Sequence, residues 1–451
     1  MGTKQNTTNN DICSDTQKAF GECSTEDDSL AFGISISDWK YCSPFCEELF
    51  LHNGQRAKFL EELGDNYYMV YFTSSEKTVE DNFNAYYNSL LNVGMMVIEE
   101  PRCIMNNENA HYASLEKDGW VYTLVGTLNN AQMRVFIEKK EQNPYFSYTN
   151  ENSQALCEPL FIQIGSGIPS AMCYVFRFTN GEFLVIDGGM NDDNSEYSSL
   201  RNSTRLLETL KQYAPDPSNV TVVAWLITHP HIDHIGVLDY YCSHYSEYPE
   251  IKIKNILWNN YSNAVLSEKS SADLVAKVSA YRAQINKLTK IGTKVHCTHI
   301  GQKLSFGNST LEIIYTHELR MGYEELINTN ALSIVLRVTV KGQTFLITGD
   351  TSTHANQVME AIFGDSLKSD FYQTPHHGWG KNTLTLAETV NPRWVLWPCN
   401  TERYEIVRGK EHNRFLFSDT SRVEAHYIAD NKTFVFSLPF DGVNMTITEN
   451  Q

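Results

Sequence analysis

Thr228-His229-Pro230-His231-Ile232-Asp233-His234-Ile235-Gly236 packs three imidazoles and a carboxylate into the six residues from His229 to His234, directly after the apolar run Val222 to Ile227. Imidazole and carboxylate together suit zinc, iron and manganese, and an open coordination position on such a metal generates hydroxide near neutral pH. His229 and His231 lie two apart, so on an extended segment they face the same way, while Asp233 and His234 fall on the following turn. That arrangement addresses two adjacent metals.

Three further segments sit at strand ends downstream and upstream of this cluster. Asp187-Gly188-Gly189 follows the strand-like Phe183 to Ile186; its glycines permit a tight turn, and its aspartate can hold a ligand histidine through the ring nitrogen turned away from the metal. Thr348-Gly349-Asp350 follows Thr344 to Ile347, and a carboxylate there can bridge two cations; a turn capping a helix from His354 to Phe363 is the plainer alternative. Pro375-His376-His377-Gly378 follows Phe371 to Thr374, where one of two adjacent histidines can ligate while the other faces substrate.

In this order the four segments resemble the metallo-β-lactamase superfamily. Within it they are similar to the branch of the soluble metal domain of bacterial DNA-uptake competence proteins and related phosphodiesterases, over about Pro159 to Phe440. The resemblance implies an α/β fold, a four-layer αββα sandwich with metals at one edge of two facing sheets, and two divalent metal ions, zinc first with manganese or iron as alternatives. It implies that His229 and His231 hold the first metal, Asp233 and His234 the second, that Asp350 bridges, and that one of His376 and His377 completes the second site. We take His376 as the ligand and His377, with Asp233, as catalytic, His377 contacting substrate or leaving group. The third ligand of the first metal is usually a histidine; here Asn330, as the branch tends to have, fits better than His317. His296 and His299 lie outside the family pattern. Trp379 stands where related sequences carry a small hydroxyl residue, and a bulky aromatic there is expected to reshape the pocket.

The expected chemistry is metal-dependent hydrolysis, in which a hydroxide held between two metals and oriented by Asp233 attacks phosphorus or a carbonyl. Two metals about 3.5–4 Å apart match phosphoester chemistry, so a phosphodiester or phosphomonoester is the expected substrate. A thioester, lactone or amide hydrolase of the same fold is the alternative, with a metal-stabilised binding or sensing protein behind it. Redox chemistry at a di-iron centre is disfavoured, because members with that activity usually place a carboxylate where His231 stands and carry a flavin domain.

Composition sets outer bounds. The 451 residues carry 36 basic and 54 acidic groups, a net charge of -18, with no Lys/Arg-rich block. Attraction to duplex nucleic acid is therefore disfavoured, and the expected partner is a small-molecule or phosphoester substrate. No run of about 18 apolar residues offers a membrane span, and the polar start lacks a signal-peptide core, so a cytoplasmic protein is expected. The ten cysteines, with only Cys42 and Cys46 closely paired, read as reduced thiols.

Three regions follow: a disordered leader over 1–29, an α+β domain of unknown role over 30–150, and the hydrolase domain over 155–451, with Gln142 to Gln154 as linker. In the α+β domain, strand Tyr67 to Thr73 precedes a helix capped by Thr78 with Val79, Phe83, Tyr86 and Leu90 on one face. Strand-like Met95 to Ile98 and a meander with turns at Lys117-Asp118-Gly119 and Asn129-Asn130 come next. His52 and His111 there read as ordinary histidines. Near the carboxyl terminus His412 and His426 read as exposed, solvated side chains, with His412 on a loop within reach of the pocket.

Overall fold

The computed structural model describes residues 30–31, 34–35, 51–52, 55–56, 59–64, 67–73, 79–127, 132–143, 155–191, 201–260, 266–267, 270–307, 309–320, 329–380, 382–418 and 422–450. The expected leader, the Cys42/Cys46 pair, the Thr78 cap, the Asn129-Asn130 turn and residues 144–154 of the expected linker lie outside them, as does the side chain of His52. The chain divides into two compact units, with the boundary between Lys140 and Glu141.

In the first unit an antiparallel six-stranded sheet runs in the order Phe59–Gly64, Tyr67–Thr73, Gln132–Lys139, Trp120–Thr127, Asn107–Lys117, Met96–Ile104. The helix Val79–Asn92 covers it, because Phe83, Tyr86 and Leu90 recur at helical spacing and share one core with Leu115, Leu124 and Val135. Asp118 (φ 54°) and Gly119 (φ 79°) supply the two left-handed residues that a tight hairpin turn requires. The last strand extends well past the expected Ile98. Its polar middle, Glu99 to Arg102, disguised it, and as an edge strand it accommodates Pro101 without losing a ladder bond.

The second unit is the expected αββα sandwich. Its first sheet runs Lys294–Cys297, Asn255–Trp258, Val220–Leu226, Phe183–Asp187, Cys173–Arg177, Leu160–Ile164, Lys432–Ser437, Met445–Glu449. The second runs Lys303–Phe306, Ser309–Tyr315, Val335–Val340, Gln343–Ile347, Phe371–Gln373, Trp394–Trp397, Ala425–Ile428. Strand periodicity of two assigns each side chain to a layer. In the first sheet, Phe161, Tyr174, Phe176, Leu184, Ile186 and Leu226 point into the core shared with Leu311, Leu336, Phe345, Phe371 and Trp394 of the second. The alternate residues Ile162, Val175, Val185 and Trp225 face outward onto Leu206 and Leu210 of the helix Asn202–Tyr213, Leu238 of the helix Ile232–His244, and Ile285 and Leu288 of the helix Ala272–Thr289.

Both sheets turn parallel where it matters for the site. Phe183–Asp187 and Val220–Leu226 run parallel, as do Gln343–Ile347, Phe371–Gln373 and Trp394–Trp397. Their carboxyl ends carry Asp187, Thr228, Asp350, His376 and Pro398, the strand ends at which open α/β sheets place their ligands. Among the described residues no helix is long and apolar enough to cross a membrane, and Cys103, Cys157, Cys173, Cys242, Cys297 and Cys399 are free thiols.

Candidate metal centre

The chain leaves the strand Val220–Leu226 through Thr228 and His229, and the helix Ile232–His244 starts immediately after His231, which puts Asp233 and His234 on its first turn. Gly236 is required at this crossing, since a Cβ there would lie 2.6 Å from the Asn191 amide nitrogen and 2.8 Å from the Gly189 carbonyl oxygen. The glycine that closes the histidine motif therefore lets the helix press against the Asp-Gly-Gly turn.

Two donor groups result. His229, His231 and Asp350 present ligand atoms within 4.8 Å of one another, and so do Asp233, His234 and His377. Asp350 lies between them. Its Oδ2 is 3.7 Å from His229 Nε2, while its Oδ1 is 3.3 Å from His234 Nε2 and 3.5 Å from His377 Nε2. His229 Nε2 is 3.0 Å from His231 Nδ1, and His377 Nε2 is 3.3 Å from Asp233 Oδ2.

Hydrogen bonds behind these donors fix which nitrogen faces inward. Asp187 Oδ2 takes the His234 Nδ1–H at 2.6 Å and the Thr228 hydroxyl at 2.7 Å, while Oδ1 takes the Thr228 amide at 2.7 Å. Having given its proton to Asp187, the Thr228 hydroxyl can only accept from His229 Nδ1, 3.2 Å away. The Pro398 carbonyl, 2.7 Å from His377 Nδ1, can likewise only accept. His229, His234 and His377 therefore all turn Nε2 toward the centre, the nitrogen that a bound cation would meet.

The choice between the paired histidines comes out the other way from the expectation. His377 is buried and joins a donor group, whereas His376 has a side chain 33% exposed, its Nε2 lies 3.8 Å from Asp350 Oδ2, and it belongs to neither group. The cause is backbone: both residues adopt left-handed conformations, His376 at φ 50°, ψ 49° and His377 at φ 55°, ψ 25°, which send the two side chains apart. Asn330 Nδ2 lies 3.3 Å from His376 Nε2, which puts Asn330 beside the paired histidines. His317 is buried but joins neither group.

These residues fit a pair of divalent cations. The Nε2 atoms of His234 and His377 face each other at 3.3 Å, and Oδ1 of the buried Asp350 lies within 3.5 Å of both. Electrostatics agree. Burial disfavours a charged His234, yet Asp350, Asp187 and Asp233 outweigh it and hold its pKa well above the usual range. Burial likewise opposes His377, but Asp350 and Asp233 raise it to about 9. Burial and the neighbouring His234 keep His229 well below its usual range. The pocket is thus a sink for positive charge that nitrogen and oxygen donors line.

Other histidines take their own places. His412 is not a solvated side chain: its Nε2 donates to the Gly378 carbonyl at 3.2 Å, beside Asn413 Nδ2 at 2.9 Å, clamping the His-His-Gly turn from the segment Glu411–Asn413. Nor is His426, which stacks on Phe417 with ring centroids 4.6 Å apart and accepts the Trp397 indole N–H at 3.0 Å. His111 is buried on the Glu108 carbonyl, at 2.8 Å.

Trp379 extends the site turn outward, 43% exposed. Its amide donates to the His376 carbonyl at 2.8 Å. Arg403 and Lys410 lie 4.4 and 4.6 Å from its ring centroid, and among the described residues neither has a carboxylate partner, whereas Arg408 and Arg393 pair with Glu405 and Glu424. Thr228, Pro398, Thr329, whose hydroxyl meets His231 Nε2, and this cationic shelf were not foreseen from the sequence. No local spacing announces them.

A model of the metallo-beta-lactamase superfamily matches residues 167–392, just over half of the chain. No curated protein matches it. Among solved structures, the chain is similar to the metallo-beta-lactamase fold protein YhfI from Bacillus subtilis, at 16% identity over 60% of this chain and 96% of that one, TM-score 0.35. It is also similar to CmlA, a diiron beta-hydroxylase from Streptomyces venezuelae, at 10% identity over 62% of this chain and 60% of that one, TM-score 0.31. A superfamily protein from Thermotoga maritima is 10% identical over 52% of this chain and 74% of that one, TM-score 0.24.

Proposed function

The chain belongs to the metallo-beta-lactamase superfamily, and from that premise we propose that it is a binuclear metal-dependent hydrolase of phosphoesters, phosphodiester or phosphomonoester, with zinc as its metal. The observation that carries this reading is Asp350, whose two oxygens face two separate groups of donors. His229, His231 and Asp350, with Asn330 alongside, would hold one ion; Asp233, His234, His377 and Asp350 the other. A bound metal pair supplies Lewis acidity, polarising the phosphoryl oxygen and making water acidic enough to attack at neutral pH.

The chain's own residues do the rest. Asp233, on the first turn of its helix, orients the attacking water and accepts its proton. His376, half-buried beside Asn330 Nδ2, meets the substrate and hydrogen-bonds the departing oxygen. Arg403 and Lys410, unpaired by carboxylates among the described residues, draw an anionic substrate to the rim of an otherwise acidic molecule. That last feature favours a phosphoester over a neutral lactone or amide. The motif order similar to DNA-uptake competence proteins and related phosphodiesterases points the same way.

The test is a substrate panel on metal-analysed full-length protein: bis(p-nitrophenyl) phosphate and p-nitrophenyl phosphate against a thioester and a β-lactam. Phosphoester turnover that chelation removes, and that Asp350→Asn lowers by about 10²-fold or more, is expected. Fully metallated protein that turns over only the thioester or the lactam, or nothing, would sink the proposal.

A further inference from the structure

Away from the centre just described, a third set of donors comes together. Cys297 ends the strand Lys294–Cys297 of the first sheet, His299 lies two residues on, and Glu318 sits in the short turn His317–Arg320 that follows the strand Ser309–Tyr315 of the second sheet. The Cys297 Sγ, a His299 ring nitrogen and a Glu318 carboxylate oxygen all lie within 4.8 Å of one another. None of the three belongs to either catalytic donor group.

Their chemistry and surroundings are those of a cation site. Thiolate, imidazole and carboxylate form a mixed set that borderline-soft zinc takes in preference to calcium or magnesium. His299 and Glu318 have fully buried side chains, with His299 Nδ1 3.0 Å from Glu318 Oε1. The donors are also held from behind: the Thr316 hydroxyl donates to Glu318 Oε2 at 2.7 Å, and the His299 amide donates to Gln302 Oε1 at 2.8 Å.

We propose that Cys297, His299 and Glu318 form a third metal site, of zinc class, that ties the end of one sheet to the end of the other and takes no part in hydrolysis. One tetrahedral position is left for a water molecule, reached on the side of the half-buried Cys297. Binding a dication there releases the Cys297 thiol proton and the Glu318 carboxyl proton to solvent, leaving a thiolate and a carboxylate on the ion. The alternative occupant of this space is a neutral His299–Glu318 hydrogen bond beside an inert thiol.

The catalytic donors are all nitrogen and oxygen, so sulfur ligation distinguishes the two kinds of site. Full-length wild type, Cys297→Ser and Asp350→Asn are loaded with cobalt(II) and scanned for thiolate-to-cobalt charge-transfer absorption, with metal content measured on the zinc-loaded proteins in parallel. The expected result is a charge-transfer band in wild type and in Asp350→Asn that is absent from Cys297→Ser, with one fewer zinc per chain in Cys297→Ser. No band in wild type overturns the proposal, as does a band that survives in Cys297→Ser, or zinc content equal in wild type and Cys297→Ser. Because serine is nearly isosteric at this half-buried position, folding of the variant is checked by circular dichroism; if it unfolds, Cys297→Ala repeats the comparison. The outcome is independent of whether phosphoesters prove to be the substrate.

Discussion

Replacing Asp187 by asparagine tests the organisation behind the metal centre without touching any proposed ligand. The buried carboxylate accepts three hydrogen bonds, from the Thr228 amide, the Thr228 hydroxyl and His234 Nδ1. Asparagine keeps one acceptor oxygen, so at least one of these donors is left facing an N–H₂ group. A buried donor stripped of its partner costs about 1–3 kcal/mol. Outer partners of ligand histidines are typically worth about 10–100-fold in metal affinity. Backbone strain does not confuse the result: Asp187 sits at φ 55°, and asparagine is among the few residues that tolerate that region as well as aspartate does. Asp187→Asn is therefore expected to weaken zinc binding about 10–100-fold in competition with a chromophoric chelator, and to lower the metal-free melting temperature modestly. An affinity within about twofold of wild type, well below the usual outer-partner effect, would refute the claim that Asp187 sets the tautomers of His229 and His234.

The remaining expectations concern separate features. His377→Ala should lower the metal content of purified protein, while His376→Ala should leave metal content intact and reduce phosphoester turnover; the opposite pattern in metal analysis and kinetics would reinstate His376 as the ligand. Exchanging both Arg403 and Lys410 for glutamine should raise KM for p-nitrophenyl phosphate about 3–10-fold at low salt, with the difference fading toward 1 M salt as screening shortens; an unchanged KM would remove the shelf from substrate capture. His426 is lowered to about 4, first by burial and then by Arg408, below the ~6.5 of an unfolded histidine. Between those pH values the unfolded chain binds more protons, so this contribution to stability is complete above about 6.5 and is lost as pH falls through about 4. His426→Phe should flatten that part of the stability-versus-pH curve in urea titrations; an unaltered slope would show that His426 does not titrate this way.

The gathering of the donor cluster was legible because its spacing is local. Residues two apart on a strand end, followed by a helix turn, must gather at one place, and that alone aligned His229, His231, Asp233 and His234. Asp187 was legible for the same reason. The order of His376 and His377 was not, since it depends on left-handed backbone at both residues and on the Pro398 carbonyl from another strand. His412 and Asn413 clamp Gly378, and Arg403 and Lys410 reach Trp379, only because the chain after Trp394–Trp397 folds back over the site. The strand Lys432–Ser437 escaped notice because its six residues, five of which pair with Leu160–Ile164, carry little periodicity of their own.

The consecutive left-handed histidines also bear on how this protein tolerates change. An L-residue in that conformation costs on the order of 1–2 kcal/mol that glycine would not, so at position 376 folding alone favours glycine while the proposed substrate contact calls for an imidazole. A library of variants sorted for expression and the same library sorted for turnover should part company at that residue first. Improving the yield of this protein by consensus or stability-guided design would remove the imidazole on which the proposed turnover rests unless the turn is held fixed.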